Sequence, residues 1–97
     1  MATIKLNLTN SWQLAASAGK NFILENLSVH AGEFCFSDTF PANDAPSHTL
    51  LCGDIISRMG VSGALYVRDK AGGGGGVLWL CLWRLKNDST KTLPSKY

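Results

Sequence analysis

The sequence predicts an all-β domain, a small antiparallel β-sandwich or β-barrel, and three features of its 97 residues carry that reading. Apolar residues recur at every second position, the period of a strand with one buried face. Turn signals return roughly every ten residues, the spacing of sandwiches and barrels. No long stretch keeps the 3.6-residue period of an amphipathic helix. The composition is that of a folded chain: 45% hydrophobic and 16% charged residues leave too much apolar surface and too little charge for disorder.

The elements follow in order. Ile4, Leu6 and Leu8 alternate with Thr3, Lys5 and Asn7, so residues 1–9 read as a first strand or an N-terminal arm. Asn10-Ser11 breaks the pattern, and Trp12 and Leu14 resume it. Ala15 to Ala18 is the place where a helical turn competes best, before a turn at Gly19-Lys20. Asn21 to Val29 is a main strand with apolar residues on both faces, and Glu33 to Asp38 is the next. With Ala31-Gly32 between them, these two are expected to form a hairpin.

Asp38 to Thr49 is a loop, because Pro41 and Pro46 withhold backbone donors and favour extended or turn geometry. Leu50 to Ile56 is apolar but interrupted by Gly53-Asp54, a bulge or turn. A turn over Met59–Gly63 leads to a short strand, Ala64–Arg68. Asp69 to Gly76, with five consecutive glycines, reads as a hairpin tip, where glycine supplies positive φ without steric cost. Val77 to Trp83 is the last strand. Residues 1–85 form the domain, and 86–97 are a polar tail, either frayed or an arm anchored on a neighbouring subunit by Leu93 and Tyr97.

The final strand raises the question of partners. Val77, Trp79, Cys81 and Trp83 share one face, and Leu78, Leu80 and Leu82 the other. Only one face can enter the core of a two-layer domain. The second must be covered by a loop, by the N-terminal strand or by another chain, since a wet apolar patch of this kind marks an interaction surface. Val77, Trp79, Leu80, Leu82 and Trp83 are therefore the candidate self-association residues, with burial under the protein's own arms as the alternative.

Chemistry-bearing patterns are weak. His30, Cys35, His48 and Cys52 have ligand types that zinc accepts, but each half of the spacing mixes His with Cys, and Cys35 sits between two phenylalanines as a core residue would. The glycine run precedes a strand, whereas phosphate cradles open a helix. Neither histidine has an acid partner at a recognisable spacing, and no Gly-x-Ser-x-Gly occurs. The aspartates sit at chain breaks, where they cap turns. Trp12, Tyr66, Trp79 and Trp83 lack the interleaved basic residues of a nucleic-acid platform, and a net charge of +2 gives no bulk attraction to nucleic acid or anionic membrane. Three cysteines are an odd count for a disulfide framework and read as free thiols in a reducing compartment. The longest apolar run has seven residues, against about 20 for a helical membrane span, and the first residues lack the apolar core of a secretory signal. The expectation is a non-enzymatic protein without metal or other cofactor.

The order of motifs adds a resemblance. Trp12-Gln13-Leu14, Asn21-Phe22-Ile23-Leu24-Glu25-Asn26, Ser37-Asp38 with Pro41, Leu50 with Gly53-Asp54, and Gly63 with Leu65-Tyr66-Val67-Arg68 occur in sequence. Over roughly residues 10 to 83 the series resembles small virion proteins of tailed bacteriophages. The resemblance implies a structural role: a homotrimeric capsid decoration (cement) protein bound to the major capsid protein on the virion surface, made in the host cytoplasm. Its alternative is a small module of a tail fibre or spike that binds host glycan or a neighbouring fibre subunit. Phe40, Pro41, Pro46, Gly74, Leu93 and Tyr97 are the candidate capsid-docking residues. The glycine tip and polar tail depart from the pattern.

Overall fold

The structure, a computed structural model, describes residues 2–60, 62–70 and 75–83. It contains eight strands: β1 (Ala2–Asn7), β2 (Gln13–Ala16), β3 (Asn21–Asn26), β4 (Gly32–Ser37), β5 (His48–Leu50), β6 (Ile55–Arg58), β7 (Ala64–Asp69) and β8 (Val77–Trp83). Two four-stranded antiparallel sheets face each other, one in the order β1-β8-β3-β6 and the other β2-β7-β4-β5. The expected sandwich is the observed one.

The topology is nested. β1 pairs with β8, β2 with β7, β3 with β6 and β4 with β5, as if one long hairpin had been folded over on itself. Lateral pairing of β3 with β8 and of β4 with β7 then completes the sheets. These two strand orders are those of an eight-stranded jelly roll.

Nesting corrects two local readings. β3 and β4 lie in different sheets, so residues 27–31 cross between layers instead of closing a hairpin. β7 and β8 are likewise in different sheets and do not form the hairpin expected of them. Both expectations took sequence neighbours for hydrogen-bonded neighbours. The long-range pairing wins because each strand buries its apolar face only by lying across from a strand of the opposite sheet. The helical competition at Ala15–Ala18 is also lost: Gln13–Ala16 is a strand, with a register shift between Leu14 and Ala16 where it pairs with β7.

Alternation of side chains fills the core. Phe22 and Leu24 from β3 and Leu78 and Leu80 from β8 meet Phe34, Leu50, Leu65 and Val67 from the other sheet, closed by Leu8 and Ala16. Phe22 and Phe36 touch across the layers with ring centroids 6.1 Å apart. Gly53, at φ +89°, makes the tight connection from β5 to β6 that its sequence predicts. Gly76 is closely packed: a Cβ there would stand 3.0 Å from Leu8 Cδ1 and 3.1 Å from Asp69 Oδ1, so both side chains would have to give by a few tenths of an ångström.

Candidate interaction surfaces

The outer face of the first sheet is set by register. Leu78 and Leu80 are fully buried, so their neighbours Val77, Trp79 and Cys81 point away from the core and are only part-buried. Across the strands, Trp79 stands opposite Lys5 of β1 and Glu25 of β3, and Cys81 opposite Thr3 and Ile23. Ile55, 58% exposed, extends the row beyond Glu25. An apolar stripe thus runs along the middle of this face. The N-terminal strand does not cover it, because β1 joins β8 edge to edge in the same sheet.

That geometry divides the self-association candidates. Val77 and Trp79 lie on the outer face. Leu80 is 0% exposed and Leu82 packs against the core, so both are corrected from interface to interior. The strand's mixed list arose because both of its faces are apolar and the sequence does not say which one faces the other sheet. Trp83 pairs with Asn21, and its side chain lies outside the described residues.

The second sheet is treated differently: the proline loop covers part of its outer face and leaves Leu14 on β2 54% exposed. Trp12 Nε1 donates to the Ala42 carbonyl at 3.0 Å, and Arg68 donates to the Asn43 carbonyl at 2.8 Å. Arg68 lies over the Trp12 ring, 4.2 Å from its centroid, and binds Glu33 at 2.7 Å, with Lys70 at 3.4 Å from the other carboxylate oxygen. Burial raises the Glu33 pKa, but the hydrogen bond and charge of Arg68, reinforced by Lys70, outweigh it and hold the carboxyl below its ordinary value. Phe40, 65% exposed, meets Tyr66 edge-on with centroids 5.7 Å apart and lines a recess together with Cys35, Pro41 and Pro46. Of the docking candidates, Phe40 and Pro46 are exposed, whereas Pro41 is buried in the loop's seat and is corrected to a structural role. Gly74, Leu93 and Tyr97 lie outside the described residues.

A third surface is one that sequence reading missed. The connections after β1, β3, β5 and β7 gather at one end, joined by Leu8 N–H to Gly76 C=O, Asp69 N–H to Thr9 C=O, Lys70 N–H to Ala31 C=O and Gly53 N–H to Asn26 C=O. Leu27 (56% exposed), Val29 (86%) and Leu51 (56%) project from this end, next to Ile55. Asn26 ties two of its loops together from below. Fully buried, its amide donates to the carbonyls of His30 and Leu50, and its oxygen accepts from Ser28 N–H and Oγ. The available signal was the polar Asn26-Leu27-Ser28-Val29 segment, where apolar residues continue beyond a strand into a loop.

The four residues with zinc-type ligands are not brought together. Cys35 points to the outer face of the second sheet, while His48 packs on Phe34, one position away and therefore on the opposite face. His30 and Cys52 are exposed in separate loops. Among the described residues no three His, Cys, Asp or Glu side chains converge as metal ligands would. The three cysteines are free, as expected. No family model, curated protein or solved structure matches this chain.

Proposed function

We propose that this protein is a non-enzymatic component of a bacteriophage virion, a decoration protein that docks on the major capsid protein and bridges neighbouring subunits of the shell. One observation carries the reading: the apolar end formed by Leu27, Val29 and Leu51 on loops that the buried Asn26 hydrogen-bonds together. Aliphatic side chains held in water on hydrogen-bonded loops are pre-organised for docking, because little loop entropy is lost when a partner covers them. The nested eight-stranded fold is one that viral capsid domains use, which adds support by analogy only. Docking through one end leaves the broad sheet faces for contacts between copies, and several weak sites on one assembly reinforce one another.

Particle fractionation tests this. The protein is expected to copurify with heads at a copy number in the hundreds. Val29→Asp is expected to fold normally, since Val29 is 86% exposed, and to lose particle association. Recovery with tails in a handful of copies, or binding on a glycan array through the recess beside Phe40, transfers the assignment to a fibre or spike module. Absence from all particle fractions overturns the virion reading.

A further inference from the structure

The geometry of the first sheet points to a specific occupant for its outer face. We propose that this face stacks on the same face of a second copy, giving a two-fold dimer in which Lys5 of each chain lies against Glu25 of the other. The proposal extends the decoration reading by naming how copies join, and it rests on the order of residues in one cross-strand row. Lys5 on β1, Trp79 on β8 and Glu25 on β3 are in register, so the row reads cation, tryptophan, anion. Neither charge is paired within the chain among the described residues, where Glu33 takes both of the ion pairs formed.

Identical faces stack only about a two-fold axis lying in the plane between them, and that axis has two simple orientations. Placed along β8, it exchanges the two sides of the row, so each Lys5 meets the partner's Glu25 while Trp79 meets Trp79 and Cys81 meets Cys81. Placed across the strands, it sets Lys5 on Lys5 and Glu25 on Glu25. Like charges facing each other at an interface oppose association, and opposite charges fix the register. The axis along β8 is therefore the one selected.

Sheets stacked face to face lie about 10 Å apart, which brings the tryptophans to the dry centre where interface energy concentrates. A three-fold ring would join two different surfaces of the molecule and make no use of this symmetry. The row thus favours a dimer over the trimer that the resemblance implies.

The test uses the purified full-length chain in light scattering and sedimentation over a concentration range. A dimer is expected. Lys5→Glu alone and Glu25→Lys alone each weaken it by about tenfold or more, and mixing the two variants in equal amounts restores dimers, because each row of like charge then faces its opposite. Both side chains lie on the outer face of the sheet, and a far-ultraviolet circular dichroism spectrum identical to the parent's shows that the fold of each variant is intact, whereas its melting temperature falls with the dimer. In a Cys52→Ser chain, a short bifunctional thiol reagent is expected to trap covalent dimers that Cys81→Ser abolishes. A monomer at concentrations on the order of 1 mM, a trimer, or a dimer indifferent to both charge reversals overturns the proposal. A dimer absent from virus particles overturns only the virion reading, and a monomer bound to particles overturns only this one.

Discussion

Asn26 on β3 and Leu50 on β5 belong to different sheets, and a 2.8 Å hydrogen bond from Asn26 Nδ2 to the Leu50 carbonyl joins them inside the sandwich. The same amide nitrogen reaches the His30 carbonyl at 2.8 Å, and the amide oxygen accepts two bonds from Ser28. All four hydrogen-bonding positions of the side chain are used. A polar group on an inward-facing strand position is tolerated for that reason, and it ties two loops to one point.

Asn26→Leu keeps a similar volume but takes the amide donor from the Leu50 carbonyl and the acceptor from Ser28 N–H, and leaves the His30 carbonyl only its 3.2 Å bond from Ser28 Oγ. The expected loss is about 2–6 kcal/mol, from roughly 1–3 for each of the two unsatisfied groups. Urea unfolding measures it. A loss below about 1 kcal/mol would show that the loops find other partners and that the apolar end does not depend on this clamp.

The Glu33–Arg68 pair makes stability depend on pH. The folded-state pKa of Glu33 lies below the unfolded value near 4.5, so its contribution is complete above that value and is lost as pH falls through the folded pKa. Glu33→Gln is expected to destabilise the protein at pH 7 by about 1–2 kcal/mol, as for a part-buried charged hydrogen bond, and to flatten the acid limb of the stability curve. Parallel curves for the variant and the parent below pH 5 would remove Glu33 as the cause.

Asp69 is the reverse case. It is 2% exposed, its backbone N–H is bonded to Thr9, and neither carboxylate oxygen has a partner among the described residues. Asparagine keeps the shape without a carboxyl group, which favours burial where no donor or cation faces the side chain. Asp69→Asn is expected to raise the melting temperature by several degrees, about 4–8 °C for each kcal/mol in a domain of this size. A lower melting temperature in calorimetry would assign the carboxylate a compensating partner.

Thiol reactivity is expected to rank the cysteines by their surroundings. Cys52 is exposed and Cys81 part-buried. Burial pushes the Cys35 thiol up; Arg68 opposes that rise and Glu33 adds to it. Thiolate is the reactive form, so Cys52 is expected to label first and Cys35 only when the proline loop or the whole domain opens. Mass spectrometry of a labelling time course checks the order. Early labelling of Cys35 would mean that the Trp12–Ala42 and Arg68–Asn43 bonds do not hold the loop down.

Much of the fold was legible in the alternation of side chains. Ile4, Leu6 and Leu8, the Phe34–Phe36 pair, and Leu78–Leu80–Leu82 mark faces without reference to the rest of the chain, and Gly53 and Gly19 mark turns by their freedom at positive φ. Period two reports a strand, but it does not report the strand's partner. Hence β3 and β4 were expected to pair and instead lie in opposite sheets.

The candidate surfaces were legible only in part for the same reason. Trp79 was marked as a partner-seeking residue from the sequence, together with Leu80, which is core. The Trp12–Arg68–Glu33 cluster and the Asn26–Leu50 bond across the sheets escape sequence reading because their members are far apart in the chain, 35 positions for Glu33 and Arg68 and 24 for Asn26 and Leu50. Side-chain hydrogen bonds of that span leave no periodic trace in a chain.

The amino-acid sequence alone determined that this chain would form strands, where most of them would begin and end, and that its last strand would be apolar on both sides. These are local properties, governed by the two-residue repeat of extended backbone and by turn chemistry. Only the tertiary structure decided which strands pair, which face of β8 is interior, and that Leu27, Val29 and Leu51 gather at one end. Those outcomes depend on closing the long nested pairings that bury the core, and no single segment contains the information.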